Sequence, residues 1–332
     1  MEMKSALITG GAGFVGYHLA SKLSRNHVVT LCDNLYRNKR IDREFSKLIS
    51  HSNVTFLNVD LTNHANWSKL RGTHFDFVYH LAAVNGTKNF YESPHEVMRI
   101  NLECMLNLLS WARTSKVGKV LYASTSEVYA GAANLGMLKF PTPEESPIAF
   151  SDIYNPRWSY AATKFVDELL LMHYARVLNL RWSIVRYHNI YGPRMGYDHV
   201  IPELHKKLLQ NQHVLELDGA DNRRCFCYID DAIRATISVA ESRKTDKKII
   251  NVGNDLEEIA ISDLAALICQ IMSVRPRLKP GRAPEGSTLR RVPSLKKLRT
   301  LTGYEPKVDL KTGLRQTIDW YNRNPMPLPG KK

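Results

Sequence analysis

The chain has 332 residues, of which 44% are hydrophobic, and a formal net charge of +14 at pH 7. This length and composition allow a large buried core, in one large domain or two closely joined ones. No stretch approaches the roughly 18 apolar residues of a membrane span, and the five scattered cysteines fit neither a disulfide framework nor a four-ligand zinc site. We therefore expect a cytoplasmic protein with no structural metal and no membrane partner.

Apolar segments alternate with stretches of helical length from the first residue onward. Strands are predicted before residue 188 at 5–9, 28–32, 54–59, 75–81, 119–124 and 182–187. Amphipathic stretches such as 15–25 and 94–115 lie between most of them, and this alternation predicts a parallel sheet with helices on both faces. The predicted strands are apolar nearly throughout, which supports a parallel sheet, because the strands of such a sheet are buried on both faces. The sequence therefore predicts an α/β fold with a doubly wound parallel sheet.

A glycine motif, GGAGFVG, follows the first predicted strand and precedes a predicted helix. Glycine at these positions permits a tight turn, lets the backbone approach a pyrophosphate, and allows the helix to pack closely on the sheet. The helix N-terminus then presents free amides to the phosphates. A glycine-rich turn without a ligand is the alternative, but this context predicts a Rossmann-type dinucleotide site. The residues assigned to it are Gly10, Gly13, Phe14, Val15 and Gly16.

Residues after the next three strands complete the predicted cofactor site. Asp33 lies about 20 residues beyond Gly13, where a carboxylate accepts hydrogen bonds from ribose hydroxyls and repels a 2′-phosphate, so NAD is favoured over NADP. Arg37 instead favours NADP, because a nearby arginine can bind the 2′-phosphate. Two further residues, after the third strand, either hold the adenine or form a plain turn. The additional cofactor residues are Asn34, Asp60, Leu61, Leu81, Ala82 and Ala83.

The pattern loosens after about residue 188, where prolines interrupt shorter elements. One return to the sheet is expected, because 249–253 reads as a buried strand after the helical stretch 231–242. We therefore predict an NAD-binding Rossmann domain at 1–188 with a return of the chain at about 229–254, and a smaller C-terminal substrate-binding lobe, mainly 189–332. The final NPMPLPGKK predicts an unstructured tail.

Much of the positive charge is concentrated between Arg275 and Arg299. Nine basic residues there outnumber one acidic residue, Glu285, which leaves a net charge of +8. The stretch lacks the interleaved aromatic residues of a single-strand binder and the helical pattern of a groove reader. It forms either a solvated basic surface or the wall of a pocket for an anionic small molecule, and no nucleic-acid partner is expected.

The segment WSYAATK contains Tyr160 and Lys164, four positions apart. Asn155 is a good helix cap and Pro156 suits the first helical position, so the tyrosine and lysine are expected one turn apart on one helix face. There a lysine ammonium can favour the phenolate of a tyrosine whose ordinary pKa is near 10. Taken alone the spacing is common and usually lies on a surface, but beside the glycine motif it predicts a catalytic pair.

Together these motifs resemble the extended short-chain dehydrogenase/reductase family, specifically its NAD-dependent nucleotide-sugar epimerases, dehydratases and decarboxylases. The resemblance covers nearly the whole chain and includes GGAGFVG, HLAA at 80–83, STSEVYA at 124–130, RYHNIYGPR at 186–194, RRCFCYIDD at 223–231 and NVGN at 251–254. It implies that NAD takes a hydride from C4 of a nucleotide-diphosphate sugar while Tyr160 removes the C4 hydroxyl proton, which gives a 4-keto sugar. It also implies carbohydrate biosynthesis and a homodimer formed through helices 94–115 and 157–178.

The resemblance further implies roles for single residues. Thr125 matches the hydroxyl residue that hydrogen-bonds the reacting sugar oxygen alongside Tyr160, and Asn189 matches a residue at the nucleotide-diphosphate end. Arg224 matches an arginine that faces the diphosphate or the sugar, and Arg291 matches a further phosphate-binding arginine. The alternatives are a strand-end cap for Thr125, a turn for Asn189 and solvated charge for the arginines.

The Thr-Ser-Glu triplet discriminates among the family's reactions. Ser126 stands where 4,6-dehydratases have an aspartic acid, and Glu127 stands where 3,5-epimerases have a cysteine and 4-epimerases a small or apolar residue. The triplet resembles the UDP-glucuronate decarboxylase group, which also has Pro-Arg before the catalytic tyrosine, as at Arg157, and an arginine at Arg224. We therefore predict decarboxylation of UDP-glucuronate or a related nucleotide uronate. A 4-epimerase, a 4,6-dehydratase, and a non-catalytic NAD-binding sensor or scaffold are the alternatives.

Overall fold

The computed structural model describes residues 3–36, 41–283 and 285–325. Arg37, on which the NADP alternative depended, lies outside these ranges, and so do Pro284 and residues 326–332 of the predicted tail. The strands are β1 (Lys4–Thr9), β2 (His27–Asp33), β3 (Val54–Asn58), β4 (Phe75–His80), β5 (Val117–Thr125), β6 (Arg181–Tyr187), β7 (Ile190–Tyr191), β8 (Val214–Asp218), β9 (Arg223–Cys225), β10 (Cys227–Tyr228), β11 (Lys248–Val252), β12 (Glu258–Ala260), β13 (Arg277–Gly281) and β14 (Arg290–Arg291). The α-helices are α1 (Phe14–Leu23), α2 (Arg43–Ile49), α3 (Thr87–Glu92), α4 (Pro94–Ala112), α5 (Ala130–Asn134), α6 (Trp158–Val177), α7 (Val200–Gln210), α8 (Ile229–Glu241), α9 (Ile261–Met272), α10 (Lys296–Thr302) and α11 (Leu310–Arg323).

Seven of these strands form one sheet, in the order β11-β6-β5-β4-β1-β2-β3. Every neighbouring pair in it is parallel. The chain builds β1 to β3 toward one edge and then returns to place β4 on the other side of β1. Ligands of such sheets bind beyond the carboxyl ends of the strands where the order reverses. The predicted doubly wound sheet is confirmed, and its reversal lies between β1 and β4.

Both faces of this sheet are buried under helices, as the nearly continuous apolar strands predicted. Ile8 of β1 packs in a core that contains Leu19 of α1 and Ile233 of α8. Its neighbour Leu7 packs in a second core, on the opposite face, with Leu108 of α4. Successive strand residues point to opposite faces, so each strand contributes to both cores. Burial of each such side chain stabilises the fold by about 1.5–3 kcal/mol.

Helix α6 begins later than the sequence predicted. The Asn155 carboxamide accepts a hydrogen bond from the Arg157 amide at 2.9 Å, and the Asn155 carbonyl accepts one from the Trp158 amide at 3.2 Å. Asparagine commonly closes a turn in this way with the amide two residues ahead. The helix therefore begins at Trp158, two residues after the predicted start at Pro156, although Asn155 does accept the amide hydrogen bond that a capping asparagine accepts.

Beyond β6 the chain forms small sheets and then returns. The pairs β10-β7 and β13-β8 and the three-stranded sheet β12-β9-β14 lie outside the main sheet. The strand predicted at 249–253 is β11, which lies beside β6 in parallel with Ile250 opposite Val185. The division of the chain into an NAD-binding domain and a substrate lobe stays a prediction.

Three further observations concern the cysteines, the helices and possible metal ligands. The five cysteines are buried and carry free thiols. Within the described ranges no helix is both long and apolar enough to cross a membrane, and no cluster of three or more His, Cys, Asp or Glu side chains is arranged to hold a metal ion.

Candidate active site

A cavity of about 570 Å³ opens at the carboxyl ends of the central strands. All the residues assigned to the cofactor or to catalysis line it. They are Gly10, Gly13, Phe14, Val15, Gly16, Asp33, Asn34, Asp60, Leu61, Leu81, Ala82, Ala83, Thr125, Ser126, Glu127, Tyr160 and Lys164. Asn189 and Arg291 also line the cavity, whereas Arg157 and Arg224 are not among the residues that line it. The structure therefore brings together residues that come from several separate segments of the sequence.

The glycine motif forms a tight turn at one end of the cavity. Gly10 has φ of +71°, a backbone conformation that residues with a Cβ atom rarely adopt. A Cβ atom at Gly16 would lie 2.1 Å from the Gly10 carbonyl oxygen, so only glycine fits there. Helix α1 begins after Gly13, which has no side chain to cap the helix. The amides of the first turn therefore face the cavity without a side-chain acceptor, as a phosphate site requires.

Asp33 ends β2 at the rim of the cavity. Its carboxylate accepts hydrogen bonds from the Leu35 amide at 2.7 Å and the Ala12 amide at 3.1 Å. Burial raises the pKa of Asp33, although these two hydrogen bonds act in the opposite direction. The carboxylate is fixed beside the glycine turn, where ribose hydroxyls would meet it. This carboxylate and the cradle that a Cβ at Gly16 would fill together fit a dinucleotide without a 2′-phosphate.

Asp60 and Leu61 follow β3 at the edge of the same cavity. The Asp60 carboxylate accepts hydrogen bonds from the Thr62 amide at 3.0 Å and from its hydroxyl at 2.8 Å. The Leu61 side chain is buried. The pair thus forms the strand-ending turn that the sequence left as an alternative, and it also lines the cavity.

Tyr160 and Lys164 lie on successive turns of α6 and face the cavity. The Tyr160 ring stacks on Phe90, with centroids 4.9 Å apart and planes inclined by 14°. The Lys164 ammonium donates a hydrogen bond to the Ala123 carbonyl at 2.8 Å and lies 5.9 Å from the centroid of the Tyr160 ring. Burial lowers the pKa of Lys164 to about 8, with Asp167 acting in the opposite direction. The lysine therefore still carries its proton at neutral pH, close to the tyrosine.

Thr125 and Ser126 join β5 to a short 3-10 helix, Ser126–Tyr129. The Thr125 hydroxyl oxygen accepts a hydrogen bond from the Glu127 amide at 3.2 Å, so Thr125 does cap this element. A hydroxyl that accepts through its oxygen can still donate its own proton. Capping and sugar binding are therefore compatible roles for Thr125. Ser126 is buried beside it, 2% exposed.

Glu127 is held between two arginines. Its carboxylate lies 3.1 Å from Nη2 of Arg157 and 2.8 Å from Nη1 of Arg291. Burial alone would raise the pKa of Glu127, but Arg291 and then Arg157 lower it to about 2. Glu127 is thus an anion throughout the physiological pH range, and it fixes a guanidinium on the cavity wall.

Arg224 stands behind this group. Its guanidinium donates hydrogen bonds to three backbone carbonyls, those of Thr288 at 2.7 Å, Arg223 at 2.9 Å and Leu289 at 3.3 Å. Burial, together with the nearby positive charge of Arg291, lowers the pKa of Arg224 to about 9. Three arginines therefore surround one carboxylate, and this end of the site has excess positive charge.

Asn189 has φ of +44° in the turn between β6 and β7. Its side-chain amide donates to the Cys225 carbonyl at 2.9 Å, and its own carbonyl accepts from the Cys227 amide at 3.1 Å. The residue is thus a turn residue, as the sequence allowed, and it joins the end of β6 to β9 and β10 at the cavity.

Several lining residues were not found from the sequence. Phe90 supports the Tyr160 ring, and Asp198 and His199 reach the cavity from the segment before α7. Arg99 of α4 lines it as well and pairs with Glu96 at 2.7 Å. No spacing pattern marks these positions, because each reaches the cavity through the packing of its helix or loop.

Comparison with known proteins gives consistent relatives. The family model described as the NAD dependent epimerase/dehydratase family matches residues 6–253. A UDP-N-acetyl-alpha-D-glucosaminuronate decarboxylase of Bacillus cytotoxicus is 35% identical over 329 residues, which cover 96% of this chain and 98% of that protein. UDP-glucuronic acid decarboxylase 1 of Danio rerio is 29% identical over 326 residues, which cover 97% of this chain and 73% of that protein. A UDP-glucuronic acid 4-epimerase from Bacillus cereus, in complex with UDP-glucuronic acid and NAD, is similar with a TM-score of 0.86 and 27% identity, over 96% of this chain and 99% of that one.

Proposed function

Since the chain belongs to the NAD-dependent epimerase/dehydratase family, we propose that it decarboxylates a nucleotide hexuronate through a 4-keto sugar. The chain is an NAD-dependent nucleotide-sugar-modifying enzyme. The observation that carries the decarboxylase proposal is the Glu127 carboxylate held by Arg157 and Arg291 at the same cavity as Tyr160 and Lys164.

The first step is oxidation at C4 of the sugar. The Tyr160 phenolate removes the C4 hydroxyl proton, and the Lys164 ammonium stabilises that phenolate by its charge. Thr125 donates a hydrogen bond to the same sugar oxygen. Bound NAD supplies the oxidising power, because it accepts a hydride and later returns it. Stacking on Phe90 holds the Tyr160 ring in place for this proton transfer.

The second step follows from the position of the new ketone. A ketone at C4 makes the C6 carboxylate part of a β-keto acid, so the C5–C6 bond breaks, carbon dioxide leaves and the bonding electrons move into the ketone. The enolate that results takes one proton at C5 from water, and C4 is then reduced. Arg291 on the cavity wall offers a counter-charge to an anionic sugar. Because its pKa is about 2, Glu127 arrives at this step as an anion and holds Arg157 and Arg291 in position instead of donating a proton.

Two other reactions share the first step. A uronate 4-epimerase would return the hydride to the opposite face of the ketone without loss of carbon dioxide, and one similar structure is that of a UDP-glucuronic acid 4-epimerase. A 4,6-dehydratase needs an acid beside the glutamate, and the buried Ser126 hydroxyl is a poor one. The arginine cluster thus favours a uronate substrate. The mass of the product distinguishes decarboxylation from epimerisation.

We expect a nucleotide hexuronate to lose carbon dioxide when it is incubated with the purified protein. The matched panel is UDP-glucuronate and UDP-N-acetylglucosaminuronate against UDP-glucose and UDP-N-acetylglucosamine, which differ in the C6 carboxylate. Mass spectrometry reads out each product: a lower mass by carbon dioxide supports decarboxylation, and an unchanged mass with a new retention time indicates epimerisation. Inert uronates beside a converted neutral sugar would rule out the decarboxylase proposal.

A homodimer in the cytoplasm, with a role in carbohydrate biosynthesis, is proposed as well. Helices α4 and α6 pack side by side, and both leave apolar side chains exposed: Met98 and Leu106 on α4, and Val166 and Tyr174 on α6, each about 40% exposed. Adjacent exposed apolar faces are typical of a surface that a second copy covers. The molar mass in solution is expected to be twice that of the chain, and a change of Val166 to glutamate should halve it. A monomeric wild-type protein would contradict this arrangement.

A further inference from the structure

Behind Lys164, a buried carboxyl and a buried phenol form a pair that the mechanism above does not use. Asp167 is 2% exposed and Tyr122 is fully buried. The Tyr122 hydroxyl donates to Oδ2 of Asp167 at 2.8 Å, whereas Oδ1 has no hydrogen-bond partner among the described residues. A buried carboxyl with one unsatisfied oxygen destabilises a fold, so packing alone does not account for it.

The Tyr122 ring connects this pair to Lys164. The Lys164 ammonium lies over the ring, with Nζ 4.7 Å from the centroid. An aromatic face attracts a cation, and a phenol that donates to a carboxylate is polarised so that its ring attracts the cation more strongly. Asp167 also follows Lys164 by three residues on α6, so the two side chains lie on the same side of the helix.

The other ionisable groups packed around Asp167 and Lys164 are neutral or already paired. Glu168 forms a buried ion pair with Arg186, with Oε2 and Nη2 2.6 Å apart. His80 of β4 stacks on Tyr122, and burial lowers its pKa to about 3, so it is neutral. Burial raises the pKa of the Cys104 thiol of α4 to about 12, so it is neutral too. Among these described residues, Asp167 is thus the acid that can carry a negative charge without an arginine beside it.

We propose that Asp167 is a positioning residue that acts through Tyr122 to keep Lys164 protonated beside Tyr160. This inference rests on the proposed function only in taking Tyr160 as the base. Burial raises the pKa of Asp167 to about 7, although Lys164 and the Tyr122 hydrogen bond act in the opposite direction. The carboxyl is therefore about half ionised at pH 7 and more fully ionised above it, and its charge there supports that of the buried ammonium. Without it, Lys164 loses its proton at a lower pH, and the Tyr160 phenolate loses its counter-charge.

The test is a titration of Tyr160 in the full chain with NAD bound and no sugar. Phenolate absorbance is followed against pH, and the titration of Tyr160→Phe is subtracted. In Asp167→Asn, whose amide oxygen can still accept from Tyr122, we expect Tyr160 to titrate about one pH unit higher than in the wild type. Tyr122→Phe should raise the pH at which Tyr160 titrates by a smaller amount. In the double variant the rise should be no larger than in Asp167→Asn alone.

The control is Asp319→Asn, which removes the same charge from an exposed position on α11 and should leave the titration unchanged. If Tyr160 titrates as in the wild type in folded Asp167→Asn, the inference is overturned. If its titration shifts in Asp167→Asn but not in Tyr122→Phe, the route through Tyr122 is overturned. A purely structural role would lower the melting temperature and leave the titration in place. The wild-type value separately tests the proposed function, because a Tyr160 that titrates at its ordinary pKa would not be the base.

Discussion

Replacement of Tyr160 by phenylalanine is expected to lower kcat by about 10²–10⁴-fold, the usual contribution of one general base. The change removes a single hydroxyl and keeps the ring that stacks on Phe90. It leaves the glycine turn intact, so the protein should retain its NAD. The measurements are turnover of the active nucleotide sugar and the amount of NAD released on denaturation.

Tyr154→Phe is the matched control, because it removes the same hydroxyl from a side chain that is 89% exposed in the turn before α6. It should match the wild type in turnover and in NAD content. Wild-type turnover in Tyr160→Phe would remove Tyr160 from the chemistry, and loss of NAD from that variant would assign it to cofactor binding instead.

Replacement of Gly16 by alanine is expected to empty the cofactor site. The new methyl group would lie 2.1 Å from the Gly10 carbonyl oxygen and 2.9 Å from the Gly11 Cα, and neither backbone atom can move aside as a flexible side chain could. The turn must open, which costs about 1–3 kcal/mol of unfolding free energy through overpacking and a further amount through lost ligand. Denaturant unfolding measures the first quantity, and mass spectrometry of the released nucleotide, expected to be NAD, measures occupancy.

Gly72→Ala is the control for the glycine substitution. Gly72 has φ of +75°, and a Cβ atom there would meet no other atom within 4 Å, so alanine strains the backbone without a collision. It should destabilise the fold by roughly 1 kcal/mol and keep the full amount of NAD. Full NAD content in Gly16→Ala would show that the glycine turn is not the pyrophosphate site.

Local patterns in the sequence were sufficient for the main sheet and the cofactor turn. Every strand of the sheet begins and ends within two residues of its prediction, because buried parallel strands are short apolar runs bounded by turns. The glycine motif predicted the tight strand-to-helix connection for a similar reason, since Gly10 and Gly16 are close in sequence and meet where β1 leads into α1. Asp33 followed from a fixed separation along the same unit.

The ion pairs of the site could not be predicted, because their members are distant in sequence. Glu127 and Arg291 come from distant segments of the chain, and Tyr122 meets Asp167 only because α6 packs on β5. The resemblance assigned Glu127 and Arg291 separately, yet nothing in it indicated that each would be the other's partner. The start of α6 differs by two residues for a local reason, because residues 155–157 form a turn before the regular helix begins.

The late return of β11 to the sheet has a consequence for synthesis on the ribosome. Strand β6 lies between β5 and β11, so one of its edges has no partner until residue 252 has left the ribosome. An unpaired strand edge is a template for pairing with other chains. The chain between β6 and β11 is made before that edge is covered, so the partly made protein exposes a pairing edge that the completed sheet does not have.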